Sequence, residues 1–206
     1  MRRFAATLTW SLLAIPTAVQ GGTQQYEPLS ISVQAALHHA VADQATPILA
    51  FDTEPEARAW LAAMSSRLQK RMPNRVERDE FLLTVHYEAR RAGLDPQMVL
   101  GLIQVESGFR KYAVSAAGAR GYMQVMPFWV RLIGSAEHNL FHLRTNLRYG
   151  CTILRHYIDI ESGNLFRALG RYNGSLGRAD YPNMVLRAWR GNWQHPQPHG
   201  IRTSAP

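Results

Sequence analysis

Cysteine is almost absent: Cys151 stands alone in 206 residues. No disulfide can close within the chain, and no cysteine follows the N-terminal leader to carry a lipid anchor. Runs of alternating β-branched residues are also missing, which favours a predominantly helical, all-α domain over any sheet. The apolar core of the leader is too short to span a bilayer and breaks at Pro16. Acidic residues are scarce, 15 against 23 basic ones, for a net charge of +8. That balance suits a polyanionic partner such as nucleic acid, lipid headgroups or an acidic cell wall, and by itself does not choose among them. No internal repeat is present, and the length suits one ordinary domain with its own core.

The leader itself has a clear layout. Arg2 and Arg3 precede a short apolar stretch ending at Ile15, and small residues lead on to Gly21 and Gly22. This is the pattern of a secretory signal peptide over residues 1–22, so a periplasmic location is expected, with no integral membrane segment after processing. Losing Arg2 and Arg3 lowers the net charge by two, to +6. Export makes the cell wall the favoured polyanion. Cys151 shares a helical stripe with Leu147, Leu154 and Ile158 and reads as core packing.

Helical spacing predicts an N-terminal helical extension over residues 23–74, with helices at about 30–42 and from Pro55 to Leu68. A main domain follows over 75–193. Its first helix runs from about Val76 to Ala92 and is closed by Gly93. Asp95-Pro96 opens the next helix, since Asp caps free N–H groups and Pro fits the first turn. Further helices are expected at Pro127–Ile133, Leu140–Ile160 and Leu165–Arg171, and a last one after Pro182. The tail 194–206, with three prolines and no apolar pattern, is expected to be disordered.

One residue breaks the pattern. In the helix after Asp95 the apolar stripe runs Val99, Leu102, Ile103 and then Glu106, so a carboxyl continues the buried face. It also sits in the last turn, where the helix dipole disfavours negative charge. Burial and dipole together favour the protonated acid, the form that can protonate a leaving glycosidic oxygen. A plain surface alternative also exists: a partly exposed Glu paired with Arg110 or Lys111. Between Glu106 and Glu137 there is no other carboxylate. Glycosidases that hydrolyse with a carboxyl pair need a second one across the bond. Asp159, Glu161 or Asp180 could fold back to supply it; otherwise the substrate must assist.

The segment Glu106-Ser107-Gly108-Phe109, then Ser115-Ala116-Ala117-Gly118-Ala119-Arg120-Gly121-Tyr122-Met123-Gln124-Val125-Met126-Pro127, and later Tyr172-Asn173, resembles the catalytic domain of the soluble-type lytic transglycosylases of family 1, relatives of goose-type lysozyme. The likeness covers roughly residues 79–190 and implies a helical, lysozyme-like fold. It implies cleavage of peptidoglycan glycan strands between N-acetylmuramic acid and N-acetylglucosamine, with Glu106 as sole acid and base. The products would carry a 1,6-anhydromuramyl end, and no cofactor or metal would be needed. By the same resemblance Ser115 would hold the acetamido group, Gln124 and Met126 would line the groove, and the Tyr172 hydroxyl would reach the site near the acid. Asn173 would adjoin it, although a structural task in the turn before Gly174 is favoured. Met126 also suits the core, and Ser115 a turn cap. Tyr122 departs from the family's usual leucine, and Gly174-Ser175-Leu176 departs from its Ala-Gly-Pro.

Other chemistries find less support. His138 and His142 have helical spacing for a metal, but the glutamate of a metalloprotease helix and a third ligand are missing. Gly174-Ser175-Leu176-Gly177 lacks the glycine two residues before the serine that a nucleophile elbow needs. No nucleic-acid recognition motif accompanies the basic charge. Two alternatives stay in play: a goose-type lysozyme that hydrolyses with water, and a non-catalytic wall-binding component. An accessory role in an envelope-spanning secretion or conjugation apparatus is compatible with either.

Overall fold

The computed structural model describes residues 24–195 apart from 43, 44, 46, 48–50 and 52. The leader assigned to residues 1–22 and the tail from residue 196 lie outside the described residues. The described chain folds as eight α-helices: α1 Ile31–Ala42, α2 Glu54–Leu68, α3 Arg75–Arg91, α4 Pro96–Glu106, α5 Phe128–Ile133, α6 Leu143–Ile160, α7 Leu165–Asn173 and α8 Asp180–Ala188. A π-helical turn, Trp189–Trp193, continues α8. Among the described residues there is no strand. Two isolated antiparallel bridges, Val114–Arg120 and Arg120–Val125, tie the loop between α4 and α5.

Local chemistry fixes the helix starts. Thr53 and Glu56 form a reciprocal capping box at α2, and the Asn74 side chain accepts from Val76 and Glu77 at α3. Asp95 accepts from the Gln97 and Met98 N–H groups with Pro96 in the first turn of α4. Gly174, at φ 73°, ends α7 in the left-handed region.

Two boundaries differ from the spacing argument. Helix α6 starts at Leu143 instead of Leu140, because the Asn139 side chain takes the Phe141 N–H and holds a turn there. Helix α8 starts before Pro182, with Asn183 N–H already bonded to the Ala179 carbonyl. A proline in the first turn has no intrahelical bond to lose, so it does not delay the helix. Gln194 and His195, read from sequence as tail, are tied down: Arg67 donates to the Gln194 carbonyl (2.8 Å) and the His195 N–H to Gln97 Oε1 (2.5 Å).

Helix α4 lies at the centre, with Met98 through Ile103 buried on every side. A helix apolar all round must be enclosed, and α3, α8 and the π turn enclose it. Gly101 lets the π turn approach: a Cβ there would lie 2.8 Å from the Trp189 backbone nitrogen. Helices α1 and α2 add Leu37, Val41, Trp60, Met64 and Leu68 to the same hydrophobic cluster. Between α3 and α6 the fully buried Glu88 carboxylate meets Arg148 (2.8 and 3.1 Å), Arg91 (3.0 Å) and Arg144 (3.4 Å). A charge removed from water needs partners of this number and quality. Cys151 is fully buried, its Sγ 4.0 Å from Met123 Sδ, and burial pushes its thiol well above the usual range.

Candidate active site

Glu106 ends α4 and is only 6% exposed. Its Oε1 accepts a hydrogen bond from the Tyr181 hydroxyl, which enters from the first turn of α8. Tyr181 shares the buried face of α8 with Val185 and Ala188, at i, i+4 and i+7. The packing of α8 on α4 thus brings the hydroxyl to the carboxyl. Burial, then the Glu106 charge and the bond to it, hold the Tyr181 phenol well above its ordinary value, so it stays a donor.

The carboxylates that could have folded back are engaged elsewhere. Asp159 pairs with Arg155 (2.5 Å), Glu161 with Arg167 (2.5 Å) and Arg171 (2.7 Å), and the exposed Asp180 with Arg178 (3.6 Å). Among the described residues, Glu106 is the one carboxylate whose charge bears on the buried Tyr172 and Tyr181 phenols.

The loop between α4 and α5 forms the neighbouring wall. Gly121 sits at φ 75°, and a Cβ there would lie 2.6 Å from the Leu140 carbonyl oxygen and 2.4 Å from Asn146 Nδ2. The closeness has a purpose. Asn146, fully buried on α6, accepts from Met123 N–H (2.8 Å) and donates to the carbonyls of Arg120 and Leu140 (2.8 Å each). Gln124 is held at φ 49°, a left-handed conformation that costs a non-glycine residue about 1 kcal/mol. Its side-chain amide offsets this by donating to the carbonyls of Ala113 (3.1 Å) and Gly121 (2.9 Å). Both amide protons of Gln124 are therefore spent within the loop.

The other residues singled out from sequence occupy distinct places. The Ser115 hydroxyl accepts from Ala119 N–H (3.1 Å), the turn-capping arrangement, which leaves its own proton to donate. Met126 is partly buried against the core. The Tyr172 ring is fully buried and its hydroxyl donates to the Met123 carbonyl (2.7 Å). Burial first and the Glu106 charge second push that phenol well above its usual value. Asn173 donates from Nδ2 to Ser175 Oγ (3.1 Å) at the end of α7. Tyr122 is buried and packs its ring on Phe81 (centroids 4.9 Å apart). His138 Nδ1 lies 2.7 Å from the Tyr149 hydroxyl, while His142 is the residue preceding α6.

The family model for the transglycosylase SLT domain matches residues 84–183, the stretch from α3 to α8 that holds all of these side chains. The chain contains a transglycosylase SLT domain. Over 111 residues, half of this chain and 41% of its relative, the sequence is 30% identical to the transglycosylase of Enterobacteria phage PRD1. A 48-residue stretch, 23% of this chain, is 48% identical to membrane-bound lytic murein transglycosylase C of Actinobacillus pleuropneumoniae and 44% identical to that of Haemophilus influenzae, covering 13% of each. The chain spans less than half the length of these relatives in the matched regions. No helix among the described residues of this SLT-domain chain is long and apolar enough to cross a membrane.

Two residues at the candidate site, Tyr181 beside Glu106 and Asn146 beneath the loop, were not found from the sequence. A helix placed after Pro182 leaves Tyr181 outside it and hides its place on the stripe with Val185 and Ala188. Asn146 is a polar residue on the buried side of α6, above Tyr149, Gly150 and Ile153. The argument that found Glu106, a polar group on an apolar stripe, would have found both.

Proposed function

We propose that this chain is a lytic transglycosylase that cuts peptidoglycan glycan strands with Glu106 as both acid and base. The observation that carries the reading is the buried Glu106 carboxyl, held by the Tyr181 hydroxyl, while Asp159, Glu161 and Asp180 are each paired with arginines. Its relatives are named transglycosylase and lytic murein transglycosylase, which supports the substrate class.

The chemistry follows from one proton relay. Protonated Glu106 gives its proton to the glycosidic oxygen as the bond from muramic C1 breaks, and the N-acetylglucosamine side leaves as an alcohol. The substrate's acetamido oxygen shares the positive charge at C1, a task for which Ser115 is suited as donor. The Glu106 carboxylate then takes the proton from the C6 hydroxyl as O6 closes on C1. Acid and base are regenerated and no water is consumed. Gln124 supports this groove by shaping its wall, and Met126, Tyr172 and Asn173 complete the wall and floor. In this reading residues 1–22 direct export and the enzyme works in the periplasm, on the wall or within a secretion or conjugation apparatus.

Mass spectrometry of muropeptides released from purified sacculi tests the reaction. Anhydro-ended products, lighter than reducing ones by one water, are expected; reducing ends alone would make the enzyme a hydrolase, and no release would reject an enzyme altogether.

A further inference from the structure

Gln24 is the most unusual polar residue apart from Glu106 and Tyr181. It is 3% exposed, although the chain around it, Gln25 to Ser30, has no regular structure and is largely exposed. Its carboxamide is wholly spent on the SLT groove. Nε2 donates to the Gln124 carbonyl (3.1 Å), and Oε1 accepts from the Met126 N–H (3.1 Å).

The groove backbone explains the pairing. Val125 turns its N–H and C=O toward Arg120, both at 3.0 Å. Across a trans peptide bond the C=O and N–H point in opposite directions, so the Gln124 C=O and Met126 N–H face away from Arg120 and form the edge that Gln24 pairs with. Such an edge takes any planar group with an amide N–H and C=O side by side. A glutamine carboxamide is one; the acetamido group on each sugar of a peptidoglycan strand is another.

Resting on the proposed function above, we propose that residues 24–29 are an autoinhibitory strap whose Gln24 carboxamide occupies an acetamido-binding position of the groove. The strap has its own weaker fastenings. Tyr26 packs edge-on against Phe128 (5.9 Å), and Glu27 pairs with Arg171 (2.7 Å) while remaining near half exposed. Leu29 meets the core just before α1. The exposed pair contributes little and is weakened by salt, so the strap is held chiefly by the carboxamide. Glycan must displace a tethered competitor whose effective concentration is far higher than that of a free amide. The apparent affinity is reduced by the fraction of molecules with the strap down.

The test uses the full chain, Gln24→Ala and a tri-N-acetylchitotriose probe in titration calorimetry, with sacculus digestion alongside. Two neutral hydrogen bonds of ordinary strength correspond to roughly a tenfold shift in the open population. Gln24→Ala should therefore bind the trimer about tenfold more tightly and digest sacculi with a lower KM at unchanged kcat. In the wild type, saturating trimer should speed amide hydrogen exchange across residues 25–30 as the strap leaves. If wild type digests sacculi while Gln24→Ala binds equally or more weakly, or if trimer slows exchange in the strap, Gln24 is part of the binding wall and the strap proposal fails alone. If neither protein digests sacculi or binds trimer, the proposed function fails and takes the strap with it.

Discussion

Replacing Tyr181 with Phe removes one oxygen and keeps the ring that packs beside Val185 on the buried face of α8. The oxygen matters because it donates to Glu106 Oε1 in a site where the carboxyl is only 6% exposed. A hydrogen bond to a charged group contributes about 1.5–3 kcal/mol. If that bond fixes the carboxyl's direction toward the glycosidic oxygen, its loss lowers kcat by about 10- to 100-fold, at about 1.4 kcal/mol per factor of ten. KM should stay within about threefold, since the ring and the groove loop are untouched. Removing the donor also leaves a buried carboxyl oxygen undersatisfied, at about 1–3 kcal/mol of stability. Initial rates of muropeptide release from sacculi over a range of sacculus concentrations separate kcat from KM, and urea melts read the stability. A folded Tyr181→Phe protein with kcat within twofold of wild type would refute the claim that this hydroxyl positions the acid.

Three further outcomes are expected. Asn146→Ala loses three hydrogen bonds, two buried and one partly buried, that order the Arg120–Met123 turn, so it should cost roughly 3 kcal/mol in urea melts and raise KM; an unchanged melt would show the turn is held otherwise. Glu88→Ala strands the buried Arg148 and should lose about 3–5 kcal/mol, measurable as a lowered Tm. Burial, with Arg90 adding to it, lowers His86 from 6.5 to about 4. The unfolded chain therefore binds the extra proton first as pH falls. The His86 contribution is complete above about pH 6.5 and lost toward pH 4, by about 3 kcal/mol in all. Denaturation at pH 7 and 4.5 should show this slope in wild type, and a flatter one in His86→Leu.

The helices were legible because their signals are local. The Gly93 stop and the Asp95-Pro96 start each act within one turn of chain, and the structure uses both. Glu106 was legible because a carboxyl on an apolar stripe contradicts its surroundings. What surrounds it was not legible, since Tyr181 reaches it across 75 residues and Asn146 reaches Met123 across 23. Gln124 shows the same limit. The resemblance puts it in the groove, and no local pattern reveals that its amide N–H groups turn inward to stabilise a left-handed backbone. The strap was invisible for the same reason: Gln24 and Met126 are 102 residues apart.

The central claim is that one carboxyl performs the whole reaction, and Glu106→Gln tests it most directly. The amide keeps the shape and can still accept from Tyr181, but has no transferable proton. Muropeptide release from sacculi by the variant should fall by roughly 10²–10⁴, the contribution of a positioned general acid or base. Its Tm should not fall, and its binding of tri-N-acetylchitotriose should survive. Release within a few-fold of wild type by a folded, glycan-binding Glu106→Gln protein would contradict the account.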